Sequence, residues 1–507
     1  MCRNLISRAA AAAALVSILF SGIAAQTSDP SSVSGKRFKR MVIRNAIIID
    51  GNGTPASGPK DIVIIDDRIA EIVGLDPVAV KEGTARRPAK GDVEIDATGK
   101  YVMPGLINLH GHTQDERGGK PMPVEYCMKM WLASGITTVR DVGAFSKTLE
   151  WRDRSARNEI ASPRIYAYGV FNTANSTKNE KAARARVMQL KQEGYDGMKL
   201  FGVDRDIMAA LMDEAHKQGL RVAHHTGVEE TNTWDDIRFG TTSIEHWYGI
   251  PEAAIPNGRQ NYPSDYNYND EVDRFRYAGR LWREADWDRL MKVFDAMIEA
   301  NVAWNPTLDI YEASRDLQRA QNQPAFKEYL HPVLEEYFRP NPANHGSYFI
   351  GWTSTDEAYW KENYRIWMRA LREFERRGGT IGAGEDAGFI YQMYGFGLIR
   401  ELELHQEAGF TPLMVIRHAT GNNAKILGKQ DELGRIRVGY KADILVVNGN
   451  PLQDFKVLYA NGKEEVVDGK VVKTGGVEWT IKDGIPFHAP TLAAEVRNLV
   501  ADAKRVQ

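Results

Sequence analysis

Eight short apolar or β-branched runs recur through the middle of the chain, separated by stretches of helical character, and this alternation restricts the fold more than any other feature. The runs are Val102–His112, Ile136–Val142, Arg164–Gly169, Gly197–Gly202, Arg221–Thr226, Thr242–Trp247, Val302–Leu308 and Thr380–Asp386. Strands that alternate with helices pair in parallel, and eight is the number that closes a (β/α)8 barrel. The expected fold class is therefore α/β, a TIM-like barrel over residues 101–428. Spacing is uneven: 54 residues separate Trp247 from Val302, and 71 separate Leu308 from Thr380. Both gaps exceed a loop plus a helix. The insertions, at about 248–301 and 309–379, carry Tyr262, Tyr266, Tyr268, Phe275, Tyr277, Trp282, Trp287, Tyr348, Trp352, Tyr359 and Trp360. They are expected over the C-terminal mouth, their aromatics divided between packing the inserted helices and meeting substrate.

The flanks have a different texture. Short alternating segments bounded by Gly, Asn and Pro occur in 26–100 and again in 429–507, and both flanks are assigned to one discontinuous N-/C-terminal β-sandwich. Residues 1–25 stand apart: Arg3 and Arg8, an apolar run Ala9–Phe20, then small residues up to Ala25. This is the pattern of a signal peptide, too short in its apolar part to span a bilayer. Export to the bacterial periplasm or beyond is expected, with no membrane span in the mature form. Cleavage leaves Cys127 alone, so no internal disulfide can form. It also leaves 63 basic against 67 acidic residues. Such interspersed, near-neutral charge gives no footprint for nucleic acid, and the expected partner is a small molecule.

Several histidines fall at strand ends. His110 and His112 are two apart, so both imidazoles face one side of the first run and suit a transition metal. Lys199 closes the fourth run; burial lowers an amine's pKa, and the neutral amine can take up CO2 to become a carboxylate able to bridge two cations. His224 and His225 close the fifth run and face opposite ways, so one can point at a metal; His225 is preferred, with His224 in reserve. His246 closes the sixth run and Asp386 the eighth, where the aspartate is the expected ligand and proton acceptor. Glu385 should face away. Arg140 and Asp141 either bind a substrate carboxylate or pair with each other, pairing being favoured. Tyr248 follows the sixth-run histidine and could narrow the pocket or offer its phenol. The remaining histidines, at 216, 331, 345, 405, 418 and 488, are expected to be structural or solvated.

Taken together, Tyr101–His112, Ser134–Asp141, Lys199, Val222–Gly227, Ser243–His246, Gly384–Asp386, Gly395–Leu427 and Gly434–Pro451 resemble the amidohydrolase superfamily. The resemblance is to the imidazolonepropionase-like branch related to binuclear metal-dependent dipeptidases and prolidases. It implies that His110 and His112 hold the more buried metal, carboxylated Lys199 bridges, His225 and His246 hold the second metal, and Asp386 binds metal and shuttles the proton. Two divalent ions, expected to be zinc, would then support hydrolysis of a C–N amide bond, in a dipeptide or N-acyl amino acid, by a metal-bridging hydroxide. His224, Tyr248 and Arg140 remain candidates for substrate binding. The alternatives are cyclic-amide hydrolysis or deamination at a single metal, which needs no strand-four lysine, and esterase or lactonase chemistry at the same centre.

Overall fold

The computed structural model describes residues 30–506 apart from 172–178, 227–230, 257–262 and 268–269. The expected signal peptide, Gly227 and the aromatics Tyr262 and Tyr268 lie outside the described residues. Seven parallel strands, Leu106–Gly111, Ile136–Ala144, Arg164–Phe171, Gly197–Phe201, Arg221–His225, Ser243–Glu245 and Ala303–Asn305, pair in sequence order. The eighth run stays extended and closes the ring. It bridges Ile381 to Trp304, with Trp304 N donating to Thr380 O at 3.0 Å and Gly382 N to Trp304 O at 2.8 Å. On its other side Leu109 N donates to Ala383 O at 3.1 Å and Asp386 N to His110 O at 2.8 Å.

The first expected run proves to be two strands in two sheets. Tyr101–Pro104 pairs with Arg40–Ile48 and Ile444–Val447, whereas Leu106–Gly111 enters the barrel. The junction is Gly105, where a Cβ would lie 2.2 Å from Thr137 Oγ1. Only a residue without a side chain lets the chain turn there.

Both flanks build one mixed sheet in which Arg40–Ile48 is central, paired with Ser57–Ile65 on one side and with Val93–Asp96 and then Tyr101–Pro104 on the other. The C-terminal strands Ile444–Val447, Val477–Lys482 and Ile485–His488 extend it. An antiparallel bridge between Arg68 and Lys441 brings the far edge back, so the sheet folds over on itself. Met41, Ile43, Ile62, Ile64, Val102, Ile444, Val446, Trp479 and Ile481 fill the space between its layers. The alternation of these residues along their strands is the period-2 signal of a half-buried sheet.

The insertions are helical. Ser354–Arg376 starts with a capping box in which Asp356 N donates to Thr353 Oγ1 and Thr353 N to Asp356 Oδ2. Its Trp360, Tyr364, Trp367, Leu371 and Phe374 recur at helical spacing and are buried. With Trp247, Trp282, Trp304 and Tyr311 the aromatic members of this set form a cluster behind the sixth and seventh strands. No helix among the described residues is long and apolar enough to cross a membrane.

Candidate metal centre

A cavity of about 310 Å³ opens at the C-terminal ends of the strands, lined by His110, His112, Lys199, His225, His246 and Asp386 among others. All six residues expected as metal ligands meet there. Ligand atoms of His110, His112 and Asp386 lie within 4.8 Å of one another. His112 Nε2 is 2.9 Å from Asp386 Oδ1, His110 Nε2 is 3.5 Å from the same oxygen, and His246 Nε2 is 3.8 Å from Oδ2. The imidazoles of His110 and His246 have centroids 4.8 Å apart, and those of His225 and His246 are 4.7 Å apart.

Backbone geometry explains why the last residues of two strands reach the cavity. His246 has φ 62° and Asp386 φ 46°, the left-handed region that non-glycine residues rarely visit. The reversal at Asp386 turns its carboxylate inward while Glu385 points out, accepting from Trp131 Nε1, from Gly395 N at 2.8 Å and from Leu398 N at 3.0 Å. Gly384 permits the approach of the eighth run to the first, since a Cβ there would stand 2.7 Å from His110 N.

Protonation favours metal binding. Burial lowers the His110 imidazolium to about 4, with the Lys199 charge adding to it against Asp386 and Glu245. Burial likewise holds His225 and His246 well below the usual histidine range. Their ring lone pairs are thus available. Burial brings the Lys199 amine down to about 8, despite Glu245 and Asp386, which leaves a neutral fraction able to react. Burial alone would raise the Asp386 carboxyl, but His110, His112 and Lys199 outweigh it and keep it well below the carboxylate range.

Outer partners fix the rings. Glu245 Oε2 lies 2.8 Å from His110 Nδ1, and Thr307 Oγ1 lies 2.6 Å from His246 Nδ1, so each ring keeps Nε2 toward the cavity. His225 Nδ1 is buried and has no hydrogen-bond partner. An orphaned imidazole nitrogen in a cavity that also holds the clustered ligand atoms of His110, His112 and Asp386 is what a divalent cation would satisfy, and the donor set suits zinc or a similar ion.

Three expected substrate-binding residues do not line the cavity. His224 points outward, its Nδ1 2.7 Å from Asp236 Oδ1, because neighbouring strand residues face opposite ways. Arg140 is fully buried and pairs not with Asp141 but with Glu245, while also donating to Leu109 O at 2.6 Å and Ser243 Oγ at 3.0 Å. Asp141 instead accepts from Thr113 N and Gly143 N. Tyr248 stacks on His225 with centroids 5.3 Å apart and acts as a backing plate. Conversely His345, expected to be structural or solvated, lines the cavity, its Nδ1 set against Glu271 Oε1. Among the insertion aromatics named from the sequence, Phe275 lines the cavity, while Trp282 and Trp360 belong to the buried cluster. Glu245 and Thr307 had no sequence signal beyond lying next to strand ends.

A closed parallel barrel with imidazoles, a lysine and an aspartate gathered at its C-terminal mouth defines a barrel protein with a candidate metal centre. The sequence profile of the amidohydrolase family matches residues 101–255 and 361–472, more than half of the chain, and the protein belongs to the amidohydrolase family. A dihydroorotase of Bacillus licheniformis is 31% identical over 133 residues, which are 25% of this chain and 28% of that protein. A 5-methylthioadenosine/S-adenosylhomocysteine deaminase of Desulforudis audaxviator is 22% identical over 475 residues, 86% of this chain and 94% of the deaminase. The crystal structure of a Xaa-Pro dipeptidase with bound methionine in the active site superposes with a TM-score of 0.61 at 21% identity, covering 89% of this chain and all of the dipeptidase chain.

Proposed function

We propose that the protein hydrolyses a C–N amide bond of a dipeptide or N-acyl amino acid at a binuclear metal centre held by His110, His112, carboxylated Lys199, His225, His246 and Asp386. One observation carries the reading: all six side chains line a single small cavity, with a lysine among them. Bound divalent ions would supply Lewis acidity, bringing the pKa of water toward neutrality and polarising the scissile carbonyl. The chain's own residues do the rest. Asp386, ionised at neutral pH, accepts the proton of the attacking water and passes it to the leaving amine. Glu245 and Thr307 hold His110 and His246 in the tautomer that presents Nε2. Phe275, Tyr311, Phe389 and Ile390 wall the cavity and limit the water that reaches it.

The long match to a deaminase supports a second reading, deamination or ring opening at a single metal. Metal content separates the two, measured on wild type and Lys199→Ala with a dipeptide library as substrate. Near two ions in wild type, with metal and activity lost in the variant, is the expected result. One ion in both, with activity unchanged, would sink the binuclear mechanism. The leader-like residues 1–25 support an exported protein, and N-terminal sequencing of material from the periplasmic fraction, beginning after residue 25, is the result expected.

A further inference from the structure

The family profile leaves residues 256–360 unmatched, yet Glu271, Arg274, Phe275, Ile310, Tyr311 and His345 of that stretch all line the cavity. That stretch is therefore where the cavity lining of this chain lies outside the family profile. Among the described residues lining the cavity, Arg274 carries the sole guanidinium. It sits on the helix Glu271–Ala278, its Cζ 5.5 Å from the Phe275 ring centroid and its side chain mostly shielded from solvent. Phe275 packs against Tyr248, which stacks on His225, so the helix bearing Arg274 lies on the His225 side of the cavity.

Arg274 is held loosely. Its Nη2 is 3.5 Å from Glu271 Oε1, longer than a hydrogen bond, because that oxygen is engaged by His345 Nδ1. The guanidinium keeps its fork of donors for a ligand, and the partial compensation by Glu271 matches a singly charged carboxylate better than a phosphate dianion. Val142, Val170, Phe201, Phe275, Ile310 and Phe389 make the remaining wall apolar.

We propose that Arg274 is the carboxylate anchor of this cavity, and that the substrate is an N-acylated amino acid with a large apolar side chain. The anchor and the ligand cluster share one small cavity, so the carboxylate must stand within a few bonds of the scissile amide, and an α-amino acid as the amine portion meets that requirement. The proposal rests on the hydrolase reading above.

The test uses the metal-loaded full-length mature protein with N-acetyl-L-phenylalanine and N-acetyl-2-phenylethylamine, which differ by the carboxylate. A charged hydrogen-bonded pair contributes about 10- to 100-fold. Wild type should prefer the acid by about that factor. Arg274→Met should lose it on the acid, chiefly in KM, with the neutral amide changed by less than about threefold, and Arg274→Lys should recover part. Equal loss on both compounds would mark Arg274 as a packing residue and overturn the proposal, as would no change on either. Where wild type hydrolyses neither compound, the hydrolase reading loses its support, and the anchor is judged by calorimetric binding of 3-phenylpropanoate against 3-phenylpropan-1-ol. Binding of the acid about tenfold weaker in Arg274→Met upholds it; equal affinities in the two proteins overturn it.

Discussion

Glu245 and Arg140 show how a buried ion pair can serve a cavity it does not line. Glu245 spans His110 on one oxygen and Arg140 on the other, with Asn305 Nδ2 donating at 2.7 Å. Replacing it with glutamine keeps the shape but removes the charge that orients His110. Metal affinity should fall by about 10- to 100-fold, the usual penalty for an outer partner, measured by competition with a chelator dye. At the fifth strand, His225→Ala should lose metal, whereas His224→Ala should retain it and instead lose about 3 kcal/mol of stability, since Asp236 is left buried with Thr226 alone. Metal analysis beside chemical denaturation distinguishes the two. The facing of His110, His112, Lys199 and His225 was legible because period-2 alternation is local. Glu245 and Thr307 were not, because a hydrogen bond between strands 135 or 61 residues apart leaves no local pattern. The partner of Arg140 escapes the sequence for the same reason: adjacency suggests Asp141, and the barrel supplies Glu245.

At the scale of elements, the runs stood out as parallel strands because most are short apolar or β-branched stretches, largely buried on both faces. The insertions gave no such periodic statement. Their aromatics divide between cavity and cluster according to how separate helices meet, which depends on contacts remote in sequence. One such contact is Trp360, whose Nε1 donates to Phe275 O at 2.9 Å and so ties the long helix to the helix bearing Arg274. Trp360→Phe removes that bond at small cost in volume. Stability should fall by about 1 kcal/mol, while KM should rise more than kcat falls, because the Glu271–Ala278 helix loses its tether. Steady-state kinetics and a melting curve on one preparation check both parts. Gly279 belongs to the same junction: a Cβ would come within 2.6 Å of Trp360 Cδ1, and Gly279→Ala should disturb kinetics in the same direction.

For the whole molecule, the seam between barrel and β domain carries its own titration. Lys482 reaches across to Ser155 O at 2.9 Å, and burial lowers its amine from 10.5 to about 8. A lysine with a lowered folded pKa binds fewer protons folded than unfolded between those values. Stability should thus rise with pH from about 8 to about 10.5, and the penalty below that window is on the order of 3 kcal/mol. Lys482→Met should flatten this rise, as followed by urea midpoints across the window. The helix Ala489–Val506 packs Leu492, Ala493, Val496 and Val500 into the main core, and a chain ended after His488 should recover poorly in soluble form.

The folded-over sheet has a consequence for how the protein comes into being. Val102 lies beside Val446, so a strand made early waits with an open edge until a partner several hundred residues downstream has been synthesised. Until then the nascent chain displays an unpaired row of amides and carbonyls beside a half-covered apolar layer. The closure of that edge therefore comes late, once Ile444–Val447 is available to pair with Tyr101–Pro104.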